Sequence, residues 1–357
     1  MELENLKKYG LTSFFEQQAA LYSGLELARV SEQHRDLYKV ITQNGEKKAT
    51  VSGKYIYNAV NSTDFPTVGD WVMVDINDQN AIIHHVLKRK SAFMRKAAGT
   101  EISLQQIVAA NIDIVFICMS LNSDFNLRRL ERYMTATWDS MAIPVVVLTK
   151  ADLCEDINTK LAEVDQVSIG ADVVVCSALN GYGYNEVLAH INAGQTIAFI
   201  GSSGVGKSTL INKLMGEDIL DTNEIRNDGK GRHTTTHRQL LLLPSGAIVI
   251  DTPGMRELQL SSGDINKTFE DIEALSIGCK YRDCTHNTEP GCTVKEAIEN
   301  GNLSIERFES YRKLQKEMNY LGLKSRQVEQ QKIKNMFGSV GKMKQAMDYV
   351  KDKNKHR

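Results

Sequence analysis

The residues of this 357-residue chain with the clearest chemical potential form a phosphate-binding loop. The pattern G-x-x-x-x-G-K-[ST] follows an apolar run at 197–200 and precedes a helix-like run at 210–215. In this context the glycines let backbone N–H groups approach phosphates, and the start of the helix adds a favourable dipole. We expect Lys207 to reach the β- and γ-phosphates and Ser208 to bind Mg²⁺. The predicted nucleotide contacts are Gly201, Ser202, Ser203, Gly204, Val205, Gly206, Lys207, Ser208 and Thr209.

Two segments that could recognise a base precede this loop in the chain. They are Thr149, Lys150, Ala151 and Asp152 after one apolar strand, and Cys176, Ser177 and Ala178 after the next. The Asp152 carboxylate can accept both guanine N1–H and the exocyclic N2–H₂, and adenine lacks that donor pair. A backbone N–H of the second segment could meet guanine O6. The usual motif begins with Asn, so Thr149 predicts a weaker nucleotide affinity or a less rigid loop.

A nucleotide-sensing segment follows the loop, beginning with Asp251 at the end of an apolar strand. We expect Asp251 to hold Mg²⁺ through water and the N–H of Gly254 to contact the γ-phosphate. The next residue is Met255, where many GTPases place a glutamine that orients the attacking water. Methionine lacks the polar groups for this task, so hydrolysis needs another residue.

The polar, glycine-rich segment 229–236 contains candidates for that task. Thr234 or Thr235 could bind Mg²⁺ when GTP is present, and His233 could position or polarise water. The alternative is that His233 is a solvent-exposed loop histidine.

Three cysteines and a histidine form a second cluster: Cys279, Cys284, His286 and Cys292. Four such ligands satisfy tetrahedral Zn²⁺ and leave no open position, which indicates a structural site. The alternative is three reduced cysteines beside a surface histidine. The turn residues Asp283, Pro290 and Gly291 favour the closed metal site.

The elements that must position these residues change in type along the chain. Residues 1–25 have helical character, and short strands with polar turns at 25–87 indicate a small β-barrel. Such a barrel could be a plain β module or could bind RNA. The basic stretch 88–96 could be a solvated linker, although its interleaved Phe93 favours nucleic-acid contact. From about residue 111, strands alternate with helices, as in a doubly wound α/β domain. The chain after 262 is helical and polar, with a Lys-rich end.

Composition limits the protein class. The net charge is −1, with 42% hydrophobic and 24% charged residues, so any nucleic-acid contact must come from local patches. No apolar run is long enough to span a bilayer, and the N-terminus does not resemble a signal peptide. We therefore expect a cytoplasmic protein.

Taken together, the motifs resemble the RsgA (YjeQ) family of circularly permuted GTPases of small ribosomal subunit assembly. The base-recognition motif precedes the phosphate loop, which is the reverse of the usual order. The resemblance covers nearly the whole chain, and its remaining matches are 68–72, 89–91, 124–133, 231–236, 251–254 and 289–292.

This resemblance implies three domains: an N-terminal helix and OB-fold barrel that binds RNA at 1–95, a circularly permuted GTPase domain at 96–262, and a helical zinc-binding domain at 263–357. It implies GTP hydrolysis that is stimulated by the small subunit and coupled to release, with one structural Zn²⁺, and Mg²⁺ with GTP. It also implies contact with ribosomal RNA. Separately from the resemblance, we expect GTP or GDP as ligand, no membrane partner and a monomeric chain. The family histidine that precedes the threonines corresponds to His233.

Two other functions remain open from the sequence. One is an RNA-binding assembly module whose nucleotide pocket is regulatory and turns over negligibly, which Thr149 and Met255 would allow. The other is a metabolic P-loop kinase, for which no further substrate pocket is evident in the sequence.

Overall fold

The computed structural model of the protein describes residues 3–34, 37–77, 80–96, 105–216, 238–251 and 265–319. The strands in these ranges are β1 (Glu26–His34), β2 (Leu37–Thr42), β3 (Gly45–Val51), β4 (Trp71–Asn77), β5 (Asn80–Val86), β6 (Ala92–Lys96), β7 (Gln105–Ala110), β8 (Ile114–Ser120), β9 (Ile143–Thr149), β10 (Asp172–Val175), β11 (Thr196–Ile200), β12 (Arg238–Leu242) and β13 (Ile248–Asp251). The α-helices are α1 (Glu4–Lys8), α2 (Ser13–Ala19), α3 (Gly53–Asn58), α4 (Leu127–Asp139), α5 (Ile157–Asp165), α6 (Tyr184–Ala189), α7 (Lys207–Met215), α8 (Glu270–Ser276), α9 (Thr293–Glu299) and α10 (Ile305–Asn319).

The N-terminal strands form a closed five-stranded barrel. β1 pairs with β2, β2 with β3, β3 with β5 and β5 with β4, and the antiparallel pairing of β1 with β4 closes the ring. Small and β-branched side chains such as Ala28, Val30 and Val72 fill its interior. On the outside, Phe15 of α2 packs on the buried Trp71, with ring centroids 5.4 Å apart. The OB-like barrel that the sequence predicts is confirmed.

The central domain is a largely parallel sheet in the order β10–β9–β8–β11–β13–β12, with β12 antiparallel at one end. Its strands are continuous apolar runs because both faces are buried. Alternate residues of β8 enter opposite cores: Val115 and Ile117 lie in one, whereas Phe116 and Cys118 lie in the other. This is the doubly wound α/β domain predicted from the sequence.

The barrel and the central sheet are hydrogen-bonded to each other. The last residues of β1 pair with β12, at Glu32–Gln239 and Gln33–Arg238, which makes one continuous eleven-stranded sheet. β1 is therefore both a barrel strand and the neighbour of the nucleotide-binding sheet.

A buried arginine reinforces this junction. Arg29 of β1 is 1% exposed, and its guanidinium donates to the Tyr9 carbonyl and, at 2.8 Å, to Thr196 Oγ1 at the start of β11. It also lies 5.3 Å from the Trp71 ring centroid. Burial lowers the pKa of Arg29 to about 10, against two nearby carboxylates, so the group stays charged at neutral pH.

The basic stretch 88–96 is not a solvated linker throughout. Its second half forms β6, which pairs with β7, and Phe93 is only 1% exposed. Arg89 is bound by Asp70 through two hydrogen bonds of 2.7 Å. Phe93 is therefore a core residue that cannot stack on a base, and the predicted nucleic-acid contact through Phe93 is wrong.

The C-terminal helices pack against α4 of the central domain. Glu131 of α4 is fully buried, and it accepts hydrogen bonds from Arg307 and Ser310 of α10 at 3.0 and 2.5 Å. The next residue, Arg132, pairs with Glu317 at the surface. These contacts join residues 176–185 positions apart in the chain.

Candidate nucleotide site and metal centre

The phosphate loop connects β11 to α7, as the sequence predicts. Gly201 has φ +143°, and a Cβ there would lie 2.3 Å from the Cys118 carbonyl oxygen, so only glycine fits. Gly206, at φ +101°, is the residue before α7. Lys207 folds back over the loop and donates to the carbonyls of Gly201 and Ser202 at 2.8 and 2.6 Å. Its ammonium group is thus held above the backbone that would surround a phosphate.

Thr149 contacts the phosphate loop directly. Its hydroxyl donates to the Val205 carbonyl at 2.6 Å and lies 3.5 Å from the Met119 carbonyl. The sequence predicts a less rigid loop because Thr replaces Asn here. The hydroxyl nevertheless bonds the end of β9 to the phosphate loop, and this contact opposes the predicted loss of loop rigidity.

The two base-recognition segments meet at the carboxyl ends of β9 and β10. The Ala151 N–H donates to the Cys176 carbonyl at 3.2 Å, and the Ser177 hydroxyl donates to Asp152 Oδ1. Lys150 adopts a left-handed conformation with φ +58°, which turns the chain at the strand end. Ser177 therefore orients the Asp152 carboxylate, a role that the sequence pattern did not indicate.

The Cys118 and Cys176 thiols next to this site have low reactivity. Burial raises the pKa of Cys118 to about 12 and that of Cys176 to about 11, against the opposing charges of Lys207 and Lys213 respectively. A thiol in this state is a weak nucleophile. The two thiols are therefore structural residues of the fold.

Only part of the predicted switch is described. Asp251 ends β13, which lies parallel to β11, so it is at the same sheet edge as the phosphate loop. This is the edge at which ligands bind in doubly wound sheets. The predicted residues His233, Thr234, Thr235 and Gly254 lie outside the described residues.

An acidic residue for which the sequence predicts no role also contacts the phosphate loop. Asp124, between β8 and α4, accepts a hydrogen bond from the Ser202 hydroxyl through Oδ2. Its other carboxylate oxygen lies 2.8 Å from an Arg129 nitrogen. Segment 124–133 is part of the family resemblance, but its local sequence does not indicate this contact.

The predicted metal ligands come together. The donor atoms of Cys279, Cys284, His286 and Cys292 all lie within 4.8 Å of one another. The Sγ atoms of Cys279 and Cys292 are 3.9 Å apart, and His286 Nδ1 is 3.6 and 3.3 Å from them. Tetrahedral zinc places two sulfurs about 3.8 Å apart and sulfur and nitrogen about 3.6 Å apart. The donor set fits zinc in both chemistry and spacing.

The loop between the ligands is held by its own hydrogen bonds. Glu289 accepts from the Thr285 hydroxyl at 2.6 Å and from the N–H groups of Thr285, Asn287 and Thr288 at 2.9–3.1 Å. The Thr285 hydroxyl and the backbone N–H groups lower the pKa of Glu289 to about 2. The ligand spacing is thus set by the fold, which suits a structural metal.

Replacement of a ligand is expected to reduce bound zinc. We predict about one zinc per purified wild-type chain and clearly less in Cys284→Ser, because a hydroxyl is a poor substitute for thiolate. Cys154→Ser, outside the cluster, is the matched control and should retain the wild-type content. Elemental analysis by mass spectrometry measures all three proteins. Equal zinc content in Cys284→Ser and wild type would contradict the assignment.

Comparison with known proteins agrees with this geometry. A family model described as RsgA GTPase matches residues 86–261. The chain is 54% identical over 351 residues to "Small ribosomal subunit biogenesis GTPase RsgA 2" of Lactiplantibacillus plantarum, covering 98% of each chain. The chain belongs to the RsgA GTPase family. An RsgA 1 protein of the same description from Listeria innocua is 45% identical over 88% of this chain and 90% of its own.

Solved structures of RsgA-like proteins have the same fold. YjeQ from Thermotoga maritima superposes with a TM-score of 0.62 at 26% identity, over 82% of this chain and 98% of that one. YloQ, described as a circularly permuted GTPase, gives a TM-score of 0.61 at 25% identity, over 83% and 96%. The predicted permuted fold is thereby confirmed.

A second family model, described as ABC transporter, matches residues 184–354. That span includes the phosphate loop, a motif that P-loop proteins of different function share, but not Asp152 or Ser177. Among the described residues, no helix has the length and apolar character needed to cross a membrane. The RsgA relative that is 54% identical over 98% of this chain decides the family.

Proposed function

We propose that the protein is a GTP hydrolase that acts in late maturation of the small ribosomal subunit, with hydrolysis stimulated by the subunit and coupled to release. The observation that carries the proposal is the joining of guanine recognition to phosphate binding. Ser177 orients Asp152, while Thr149, three residues earlier, is bonded to the phosphate loop. The names of the relatives, as biogenesis GTPases of the small subunit, supply the biological setting.

We assign the phosphate contacts to residues 201–209 and guanine recognition to the segments at 149–152 and 176–178. Ser208, Asp251 and one of Thr234 or Thr235 would hold Mg²⁺, and Gly254 would contact the γ-phosphate. The metal, when bound, neutralises charge that develops on the phosphates. His233 would position the attacking water, because Met255 offers no polar group for that task.

Basic surface near the metal centre supports contact with RNA. A cleft of about 420 Å³ beside His286 is lined by Arg282, Arg312 and Lys316, together with Tyr281. Arginine and lysine neutralise phosphates, and an exposed aromatic ring can stack on an unpaired base. Although the net charge of the chain is −1, this cleft has three basic side chains and one acidic one, Glu273, which favours contact with RNA phosphates.

The domain boundaries we propose are those at 1–95, 96–262 and 263–357, with the barrel as a second RNA-binding surface and the zinc site as structural. GTP or GDP would be the ligand of the central domain. The protein would act as a monomer in the cytoplasm, where it would meet the immature subunit.

We expect isolated small ribosomal subunits to accelerate GTP turnover by the wild-type protein. His233→Ala should lower the stimulated rate by about a hundredfold, the range for a side chain that assists proton transfer or water positioning. GTP affinity should be unchanged, because His233 is assigned to the hydrolysis step. Phosphate release with and without subunits measures the effect, and His190→Ala, a histidine without an assigned role, is the matched control.

Two outcomes would overturn this function. Absence of acceleration by subunits would favour an RNA-binding module whose nucleotide pocket is regulatory. Equal stimulated rates in His233→Ala and wild type would remove the basis for the proposed hydrolysis mechanism.

A further inference from the structure

We propose that Asp124 is a positioning residue for the phosphate loop, acting through Ser202. The proposal rests on the proposed nucleotide site. The Ser202 hydroxyl donates to Asp124 Oδ2, while the Ser202 carbonyl accepts from Lys207 Nζ at 2.6 Å. Asp124 thus fixes the residue whose backbone holds the phosphate-binding lysine.

The segment that carries Asp124 is itself held in place. The Asn122 side chain accepts from the Asp124 N–H at 3.0 Å and from the Ser120 hydroxyl at 2.8 Å. Asn126 caps α4 by accepting from the Arg129 N–H at 3.0 Å. A carboxylate fixed at both sides in this way can serve as a reference point for a glycine-rich loop, which has little conformational preference of its own.

The charge arrangement explains how a carboxylate can lie beside a phosphate site. Like charges at short range repel, so an unpaired aspartate here would oppose phosphate binding. Arg129 lies 2.8 Å from Asp124 Oδ1 and also donates to the Asp124 carbonyl. The ion pair leaves the second oxygen for Ser202 and offsets the negative charge.

A second hydrogen bond holds the other end of the phosphate loop. Thr149 holds the Val205 carbonyl, and Asp124 holds Ser202, so the loop is fixed on both sides of its exposed middle at Ser203 and Gly204. Part of the backbone assigned to the phosphates, at 203–204, lies between these two contacts. Loss of one of these two hydrogen bonds is expected to weaken nucleotide binding, because a more mobile loop loses more conformational entropy when it binds.

A double-mutant cycle tests the proposal. We expect Asp124→Ala to weaken binding of fluorescent GDP and of a non-hydrolysable GTP analogue by about threefold to tenfold, which corresponds to the net value of one hydrogen bond. Ser202→Ala should give a similar loss, and the double variant should lose no more than either single one. Asp124→Asn should recover affinity to within about twofold, because the amide oxygen still accepts from Ser202.

Ser123→Ala in the same segment and Asp165→Ala at the end of α5 are the matched controls, and both should bind as wild type does. Additive losses in the double variant would overturn the proposal, since Asp124 would then act independently of Ser202. An Asp124→Asn variant as weak as Asp124→Ala would also overturn it, because charge rather than the hydrogen bond would matter. Failure of the proposed function is distinguishable, since it would show as a wild-type protein without guanine preference.

Discussion

Asp152→Asn is expected to lower the affinity for GTP by about a thousandfold and to create binding of xanthosine triphosphate. The guanine edge presents two donors, and a site that hydrogen-bonds such groups strongly rejects a mismatched partner. Asparagine would present its amide N–H₂ to those donors. Xanthine has a carbonyl in place of the exocyclic amine, so the same amide group would find an acceptor.

The structure gives a reason why Asp152→Asn should change the preference from GTP to the xanthine nucleotide. The Ser177 hydroxyl donates to Asp152 Oδ1. In the variant the amide oxygen is the group that can accept from Ser177, which directs the amide nitrogen toward the base. Ser177→Ala in the Asp152→Asn background should therefore reduce the preference for the xanthine nucleotide.

Competition binding with GTP, ATP and xanthosine triphosphate measures both effects. Asp165→Asn makes the same chemical change on α5, away from both base-recognition segments, and should bind as wild type does. An Asp152→Asn variant that retains wild-type GTP affinity would show that Asp152 does not contact the base. If the wild-type protein bound GTP and ATP equally well, the assignment of guanine recognition to this site would itself be contradicted.

Arg307→Ala is expected to destabilise the protein by about 3 kcal/mol, the lower end of the range for breaking a buried ion pair, because Arg128 at 2.8 Å remains as a second partner of Glu131. The Arg307 side chain is 5% exposed and that of Glu131 is 0% exposed, with 3.0 Å between the nearest atoms. Arg307 also makes two hydrogen bonds to Asp271, at 2.6 and 2.8 Å, and one to the Thr268 carbonyl. Its removal leaves several polar groups unsatisfied at the contact between α4 and α10.

Arg132→Ala is the matched control at the same contact. Arg132 pairs with Glu317, and both side chains are about one-third exposed, at 30% and 33%. We expect a loss below about 1 kcal/mol, as for exposed ion pairs. Urea unfolding of the three proteins gives the free energies. Similar losses in both variants would show that burial of the Glu131 pair has no special weight.

The loss in Arg307→Ala should depend on pH. Burial raises the pKa of Glu131, against the hydrogen bond from Ser310 and the charges of Arg128 and Arg307. Because its pKa is raised in the folded state, Glu131 binds a proton more readily in the native protein than in the unfolded chain. Protonation of Glu131 therefore stabilises the native protein at low pH, and this stabilisation is lost as pH rises through the folded-state pKa. Removing Arg307 raises that pKa further. The destabilisation should thus be smaller near pH 5 than near pH 8, and an equal loss at both would indicate packing on Phe269, 4.9 Å away, rather than charge.

Local sequence determined much of the site. The phosphate loop and the zinc ligands are recognisable because their chemistry requires particular residue types within a few positions of one another. The parallel strands are recognisable because burial on both faces makes them continuous apolar runs. The order of the motifs indicated the permuted frame, and the relative that is 54% identical over 98% of this chain confirms the family.

What tertiary structure decided concerns contacts between distant positions. Glu131 and Arg307 are 176 residues apart, and Asp124 and Ser202 are 78 apart. In the sequence alone, Glu131, Arg307 and Asp124 each resemble a solvated surface group, because charged residues in a run are usually exposed. Phe93 shows the same limit, since its burial depends on the pairing of β6 with β7 rather than on its neighbours in sequence.

Thr149 brings the two levels together. The sequence predicted a weakened motif because threonine lacks the amide of asparagine, and only the fold revealed that its hydroxyl reaches the Val205 carbonyl. The sequence by itself determined which residues carry the chemistry, since that depends on functional groups at short spacing. The tertiary structure decided which residues hold them in place, because those partners come from other strands and helices and are selected by packing.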